Sequence, residues 1–215
     1  MKTKTSRTQG SRYYPKRYDF DPTTRNAILD EALVCHVAFT IDGQPYVLPT
    51  AYCRVDNTLY LHGSVGSHFY RQMAQGIPGC VSVTRVDGLV LARSVFHHSM
   101  NYRSVTAFGK TRLVEDEQER WLAAEKFTDH IMPGRWNDAR QPDKGEMRQT
   151  MFIAVDIEES SVKFRAHGVV DDEQDLGLDV WAGVMPLKLT PRELQPDTAG
   201  KTGVELPDYI RSYSR

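Results

Sequence analysis

The sequence predicts a mainly β protein in which six or seven antiparallel strands form a small barrel with peripheral helices. Apolar and β-branched residues alternate with polar ones at a period of two, which is typical of strands with one buried face. Asp42-Gly43 and Asp56-Asn57 are tight-turn pairs that indicate hairpins between successive strands. A barrel is favoured because closing such a sheet removes its exposed edges.

Three helices interrupt the predicted strands. Asp21-Pro22 is a cap followed by proline at the first helical position, and apolar residues recur at helical spacing up to Leu33. Glu115 and Asp116 favour the start of the longest helix. The predicted helices cover residues 22–33, 67–75 and 115–131. The predicted strands cover residues 34–41, 46–55, 58–62, 80–96, 102–114, 151–157 and 162–166.

The composition is that of an ordinary globular domain. The 215 residues are 40% hydrophobic and 26% charged, and the net charge of −1 gives no field that would attract nucleic acid or acidic membranes. Residues 1–20 are predicted to be a flexible basic arm, residues 21–190 the barrel domain and residues 191–215 a polar tail. Because no apolar run suits a bilayer span or a secretory signal, we expect a cytoplasmic protein without membrane or nucleic-acid partners.

The three cysteines predict buried free thiols. Cys35, Cys53 and Cys80 are far apart, odd in number and surrounded by apolar residues. The sequence has no CxxC or HExxH spacing, so no metal site is predicted.

The segment from residue 59 to residue 73 changes from a strand into a helix through a turn of small residues. Gly63 and Ser64 break the strand, and the helix resumes at about Ser67. Free N–H groups at the start of a helix suit an anion such as phosphate, and His68 and Arg71 can add positive charge. The alternative is an ordinary helix N-cap after a loop. A Walker loop and a dinucleotide fingerprint are excluded, because the lysine and the third glycine are missing.

Four short motifs in this order resemble a known family. They are YVLPTAY at residues 46–52, LYLHGS at 59–64, NYRSV at 101–105 with Phe108-Gly109, and VWAGV at 180–184. The chain resembles the FMN-binding split-barrel proteins of the pyridoxamine-phosphate-oxidase-like superfamily, in the branch that includes the nitroimidazole-resistance (Nim-type) proteins. The resemblance covers roughly residues 22 to 190.

The resemblance implies a split barrel over residues 21–190 that works as a homodimer, with two FMN molecules in clefts at the subunit interface. Pro49 and Thr50 would contact the edge of the isoalloxazine ring, where polar groups tune flavin electronics. His62 and Ser64 would line the ribityl chain or the ring. The complete implied set is Pro49, Thr50, His62, Gly63, Ser64, Ser67, His68, Tyr102, Arg103, Ser104, Val105 and Trp181.

The flavin phosphate would lie at the small-residue turn, facing Ser67 and His68. Relatives commonly carry lysine or arginine near His68, although a histidine could still pair with phosphate. If Arg71 points away from the turn, Arg103 must supply the main fixed charge, because a guanidinium fork matches phosphate oxygens. Val105 would pack on the ring system, and Trp181 would lie close to the flavin of the same or the other subunit.

Residue patterns alone leave alternatives at several of these positions. Arg103 is also compatible with a surface-facing position on a strand, and Trp181 with an ordinary core tryptophan. His97 and His98 fit a turn or the rim of a cleft. They are weaker candidates for metal or haem ligands, because adjacent residues on a strand point to opposite faces.

These features predict a flavin-dependent oxidoreductase that acts on a small organic compound, with nitro-aromatic compounds among the candidates. Flavins perform hydride and electron transfer, and the sequence has no nucleophile elbow. Oxidation of pyridoxamine phosphate is disfavoured, because the C-terminus lacks that enzyme's arginine-rich substrate motif. The alternative is a flavin- or haem-binding carrier or sensor without turnover, with His62, His97 or His98 as haem ligand.

Overall fold

Ten strands and six helices form the part of the chain that the structure describes, which is residues 5–10, 13–200 and 203–215 of a computed structural model. The strands are β1 (Tyr18–Asp19), β2 (Val34–Ile41), β3 (Gln44–Ala51), β4 (Cys53–Val55), β5 (Thr58–Ser64), β6 (Pro78–Leu91), β7 (Ser99–Leu113), β8 (Thr150–Asp156), β9 (Glu159–Arg165) and β10 (Gly183–Pro186). The helices are α1 (Pro22–Glu31), α2 (His68–Met73), α3 (Glu117–Ile131), α4 (Arg135–Asp138), α5 (Lys144–Gln149) and α6 (Asp208–Arg211).

The predicted mainly β fold is confirmed. All strand pairs are antiparallel, and seven of the strands have seven or more residues. Two hairpins turn where the sequence predicts them, because Asp42, Gly43 and Asp56 adopt positive φ angles of 49°, 79° and 50°. These turns connect β2 to β3 and β4 to β5.

The single strand predicted over residues 46–55 is wrong, because the chain changes its pairing partner at Tyr52. β3 pairs with β2, whereas β4 pairs with β5. Tyr52 is fully buried between them, and its hydroxyl donates to the carbonyl of Leu29 at 2.5 Å. The sheet order β3-β2-β6-β7-β8-β5-β4 therefore ends at β3 and β4, and the barrel is split at that point.

β6 and β7 form the longest hairpin, with 14 and 15 residues. The strand predicted over residues 80–96 ends earlier, because a 3₁₀ turn occupies Val95–His97 at the tip of the hairpin. The register shifts between Val86 and Gly88, so Asp87 is the extra residue of a β-bulge. A bulge redirects the side chain that it carries. The carboxylate of Asp87 accepts hydrogen bonds from Arg103, a predicted site residue.

The inner faces of the strands enclose the main core. Val37, Val81, Val105 and Ile153 are at most 1% exposed there, and residues of α1 and α2 complete the cluster. A second apolar cluster lies on the opposite side of β5 and β8, where Phe127 of α3 packs. Because alternate residues of β5 enter the two clusters, this strand links the barrel interior to α3.

α3 begins close to the predicted acidic start. Asp116 is its N-cap and accepts a hydrogen bond from the backbone N–H of Glu119 at 2.8 Å. Among the described helices, none is long and apolar enough to cross a membrane.

The described part of the predicted arm contacts the barrel. β1 pairs with β9, and Arg7 forms an ion pair with Glu159. Residues 1–4 and 11–12 of the arm, and residues 201–202 of the tail, lie outside the described residues. The tail also contacts the barrel domain, because Arg215 donates to the carbonyl of Glu31 at 3.3 Å.

The three cysteines are free, as predicted, but only Cys35 and Cys53 are buried, whereas Cys80 is half-buried. Burial raises the pKa of Cys35 and of Cys53 to about 12. Both thiols are therefore protonated at neutral pH and behave as small apolar core groups.

Candidate functional site

The turn between β5 and α2 is built around Gly63 and Tyr70. A Cβ atom on Gly63 would lie 2.7 Å from the ring of Tyr70, so this position requires glycine. Tyr70 is buried, and its hydroxyl lies 3.2 Å from Oγ1 of Thr50. The structure thus brings the predicted residues Thr50 and Gly63 together through Tyr70, a residue that the sequence reasoning missed.

Backbone hydrogen bonds and Ser64 close this turn. The N–H of Ser67 donates to the carbonyl of Ser64 at 2.9 Å, and the N–H of Gly66 donates to Oγ of Ser64 at 3.1 Å. Ser67 is the N-cap of α2, yet its side chain makes no capping hydrogen bond. His68, the first residue of α2, is exposed. The turn therefore presents a hydroxyl and an imidazole to solvent.

Pro49 and His62 lie on two surfaces near this turn. Pro49 is exposed on the outer face of β3. The ring of His62 lies edge-on to Phe127 with 4.1 Å between centroids, and this partial desolvation lowers the pKa of His62, although the residue as a whole is exposed. In its neutral form the imidazole of His62 can both donate and accept a hydrogen bond. His62 also lines a cavity of about 290 Å³ together with Trp136.

Arg103 contacts two carboxylates. Its guanidinium donates to Asp87 at 2.7 and 2.9 Å and to Glu31 at 2.5 and 3.0 Å. These bonds raise the pKa of Arg103, and the bond from Arg103 lowers the pKa of Glu31. Arg85 lies 3.0 Å from the same Glu31 carboxylate. In this structure Arg103 is part of an ion-pair network that joins α1 to the bulge in β6, and its role as the fixed charge for a flavin phosphate stays a prediction.

The predicted site residues fall into two groups that lie far apart along β7. Thr111 of β7 donates to the carbonyl of Met73 at 2.5 Å and so holds the end of α2. Arg103 precedes Thr111 by eight residues in the same strand, which at about 3.3 Å per residue is roughly 26 Å. Within one chain, Arg103 and Ser67 therefore do not form one phosphate site.

Val105 does not face a ligand surface. It is 0% exposed in the main core, which corrects the expectation that it packs on a flavin ring. Its neighbour Ser104 points to the outer face of the sheet and donates to the carbonyl of Lys163 at 3.2 Å. Tyr102 lies on the same outer face, with the ammonium group of Lys163 5.6 Å from its ring centroid.

Trp181 is a surface residue, which excludes the core alternative. It is 67% exposed, and its ring covers Gly183, where a Cβ atom would lie 2.8 Å from the indole. Gly183 begins β10 and pairs with Leu91 at the end of β6. Trp181 therefore lies near the tip of the β6–β7 hairpin, as His97 and His98 do.

Comparisons with known proteins identify the family. A sequence model of the family described as pyridoxamine 5'-phosphate oxidase matches residues 21–164. The chain belongs to this family. This pyridoxamine-phosphate-oxidase-like chain is 32% identical to the flavocytochrome Anf3 from Azotobacter vinelandii, with a TM-score of 0.88 and 97% of each chain covered. It is also 32% identical to an FAD- and haem-binding protein from Mycobacterium smegmatis, with a TM-score of 0.86, over 92% of this chain and 97% of that chain.

A more distant likeness concerns the fold alone. A protein from Bacteroides thetaiotaomicron, described as a 5-nitroimidazole antibiotic resistance protein, is 22% identical, with a TM-score of 0.58. The match covers 68% of this chain and 86% of that chain. No curated protein sequence matches the chain. The predicted family is confirmed, whereas a nitro-aromatic substrate gains no support from this likeness.

Proposed function

We propose that this chain is a homodimeric oxidoreductase that binds a flavin and, as a second cofactor, haem. The observation that carries the proposal is the 32% identity, over more than nine-tenths of the chain, to a flavocytochrome and to an FAD- and haem-binding protein. The site geometry supports it, because the two groups of site residues suit a cofactor held between two chains.

The turn between β5 and α2 is the proposed site for the flavin phosphate. The hydroxyl of Ser67 is not used for capping, and α2 begins without a side-chain acceptor for its first N–H groups. Hydroxyl and backbone N–H groups are suitable donors to an anion. The exposed side chains of His68 and Arg71 flank the turn and can add positive charge.

A second chain is the proposed source of the flavin contacts that the β5–α2 turn does not supply. In a two-fold dimer each chain supplies the same surface, so the hairpin of one chain can meet the β5–α2 turn of the other. Tyr102 and Trp181 of the hairpin would then approach the partner's flavin. The outer faces of β2, β3 and β6 carry Val34, Val47 and Val86, which are 49%, 64% and 43% exposed. This apolar outer strip favours burial against a second copy.

FAD is the proposed flavin in preference to FMN. The expectation of FMN follows from the wider family, whereas the Mycobacterium smegmatis protein, 32% identical over nearly the whole chain, binds FAD. His62 lies next to the turn, and its imidazole would donate to or accept from a polar group of the flavin.

Bound flavin supplies hydride and single-electron transfer, and bound haem supplies one-electron and oxygen chemistry. The chain's own residues bind and orient these groups. Tyr70 and Thr50 fix β3 against α2, which keeps the turn in a defined position. A small organic compound remains the proposed substrate class, because the exposed Pro49 leaves an apolar surface beside the turn.

The absorption spectrum of the purified protein tests this proposal. We expect flavin bands together with the Soret band of haem, and mass spectrometry of the flavin released by heat should give the mass of FAD. Anaerobic addition of a reduced nicotinamide cofactor should bleach the flavin bands. A protein that takes up neither flavin nor haemin on reconstitution would overturn the proposal. A flavin that dithionite reduces but nicotinamide cofactors do not would favour a carrier instead.

A further inference from the structure

A cavity of about 870 Å³ lies beside the tip of the β6–β7 hairpin. Its walls are residues 13–17, residues 96–99, and residues 164–167 with Val170. Four other cavities in the molecule have volumes of about 270 to 330 Å³. The hairpin cavity, as we call it, has the size of a cofactor site, for which roughly 300 to 1,000 Å³ is usual.

The hairpin cavity contains a buried cation without a carboxylate partner. Arg165 is 4% exposed, and its Nη atoms donate to Asn101 Oδ1 at 2.6 Å and to the carbonyls of His167 and Gly168 at 2.9 and 3.0 Å. Its buried Nε has no hydrogen-bond partner among the residues that the structure describes. A buried charge usually requires an opposite charge, so this arginine indicates an anionic ligand.

A second arginine reinforces the positive charge. Arg17 also lines the hairpin cavity, with its guanidinium 4.1 Å from the ring centroid of Tyr14. Among the described residues, neither Arg17 nor Arg165 forms an ion pair with a carboxylate. Two cations at one end of a cavity suit a ligand that carries two acidic groups.

Two histidines that line the hairpin cavity have Nδ1 held by a backbone carbonyl. Nδ1 of His98 lies 3.0 Å from the carbonyl of Ser94, and Nδ1 of His167 lies 3.1 Å from the carbonyl of Gly168. A carbonyl can only accept, so Nδ1 carries a proton, and in the neutral imidazole Nε2 is then the nitrogen with the free lone pair. This is the tautomer in which metal-bound histidines are held by backbone carbonyls. His97 differs, because its buried Nε2 lies 3.1 Å from a carboxylate oxygen of Asp172, although the two make no hydrogen bond.

The remaining wall of the hairpin cavity is apolar and aromatic. Phe96 lines it, yet this residue is 86% exposed. Large apolar side chains left in solvent beside a cavity indicate a ligand with an extended apolar face. The described residues contain no group of three or more side chains that could hold a bare metal ion. Haem iron needs only one or two protein ligands, because the porphyrin supplies the other four.

We propose that the hairpin cavity binds haem, with Nε2 of His98 and Nε2 of His167 ligating the iron and with Arg165 and Arg17 facing the propionates. This inference rests on the haem-binding part of the proposed function. It places the haem beside the tip of the β6–β7 hairpin, whereas the flavin phosphate is proposed at the β5–α2 turn.

The test is haem content and the position of the Soret band in holoprotein reconstituted with haemin. We expect His98→Ala and His167→Ala each to change the Soret band and to weaken haem binding at least tenfold. Flavin content should be unchanged. Added imidazole should restore the wild-type spectrum of His98→Ala. Arg165→Gln should weaken haem binding without moving the Soret band, and Arg192→Gln, an exposed arginine of the tail, is its matched control.

His62→Ala tests the alternative haem ligand, because His62 faces the smaller cavity beside α3. A wild-type Soret band and wild-type haem affinity in either His98→Ala or His167→Ala would overturn the assignment, as would loss of haem in His62→Ala alone. Loss of flavin in place of haem would make the hairpin cavity a flavin site and would also overturn it. Because His98 is exposed, its variant is expected to fold, and circular dichroism checks this. A wild-type protein that binds flavin but never haemin would refute this inference and leave the flavin proposal standing.

Discussion

Gly63, the smallest residue of the candidate site, determines where Tyr70 packs. Gly63 leaves room for the ring of Tyr70 against β5, and the hydroxyl of Tyr70 reaches Oγ1 of Thr50 at 3.2 Å. Three elements are fixed at one point in this way. The turn proposed for the flavin phosphate begins at the next residue, Ser64, so its position depends on these contacts.

Gly63→Ala tests this role. The added Cβ would lie 2.7 Å from the ring of Tyr70, and we expect the free energy of unfolding to fall by about 1–3 kcal/mol, with weaker flavin binding. Gly177→Ala is the matched control, because its Cβ would meet nothing within 4 Å. We expect it to change the free energy of unfolding by no more than about 0.5 kcal/mol. Equal effects of the two variants in urea denaturation would contradict the assignment.

Arg103→Gln distinguishes an ion-pair role from a phosphate-binding role. The bond from Arg103 lowers the pKa of Glu31 below its ordinary value of 4.5. The stability from this pair is therefore complete above pH 4.5 and is lost as the pH falls through the lower, folded-state pKa.

We expect Arg103→Gln to lose about 1 kcal/mol at neutral pH, because the paired side chains are 28–35% exposed and solvent weakens the interaction. Its unfolding free energy should also fall less steeply in acid than that of the wild type. Urea denaturation across pH measures both effects, and flavin content should stay at the wild-type level. Loss of flavin with unchanged stability would instead show that Arg103 binds the flavin phosphate.

At the scale of elements, α2 depends on β7 for its position. It has six residues, which is too short for a helix to be stable alone. The buried hydroxyl of Thr111 lies 2.5 Å from the carbonyl of Met73 and 3.1 Å from that of Ile77. These contacts hold the C-terminal end of α2 and leave its other end free to face a ligand.

Thr111→Val should release this end of α2. We expect a loss of about 1 kcal/mol in the free energy of unfolding, because the shape is kept but the donor is lost. Amide hydrogen exchange in α2 should also become faster. Thr58→Val is the control, because it removes an exposed hydrogen bond to Asp156 and should not affect α2. Unchanged exchange in α2 of the Thr111 variant would show that β7 does not hold the helix.

The elements were predictable from sequence wherever their cause is local. β2 has the predicted bounds of Val34–Ile41, because alternation along one strand and a turn at Asp42-Gly43 define it. The predicted strand over residues 46–55 failed at Tyr52, since the hydroxyl of this residue is satisfied by Leu29, 23 residues away. Partners of this kind leave no periodic signal in the sequence.

At the scale of the whole molecule, the proposed dimer predicts the effect of a charge on the apolar outer strip. Val47 is 64% exposed on β3, and we expect Val47→Glu to give a monomer in analytical ultracentrifugation and to lower flavin occupancy, because a buried unpaired charge disfavours the interface. Val204→Glu, at a position in the tail that is 73% exposed, is the matched control. A dimer with full flavin content in the Val47 variant would place the interface elsewhere.

The family and the small-residue turn were predictable, because their motifs are contiguous in the chain. The partners of Arg103 were not, since Glu31 lies 72 residues from it and Asp87 reaches it only through a bulge. The hairpin cavity was not predictable either. Arg17, His98 and Arg165 come from three distant segments, and only the pairing of β1 with β9 and of β9 with β7 brings them together.

Native mass spectrometry of the reconstituted protein tests the central claim most directly, because one spectrum reports both the number of chains and the number of flavins. We predict a dimer that carries one FAD per chain. A monomer that keeps its flavin, or a dimer that binds none, would contradict the account that two chains together hold the cofactor.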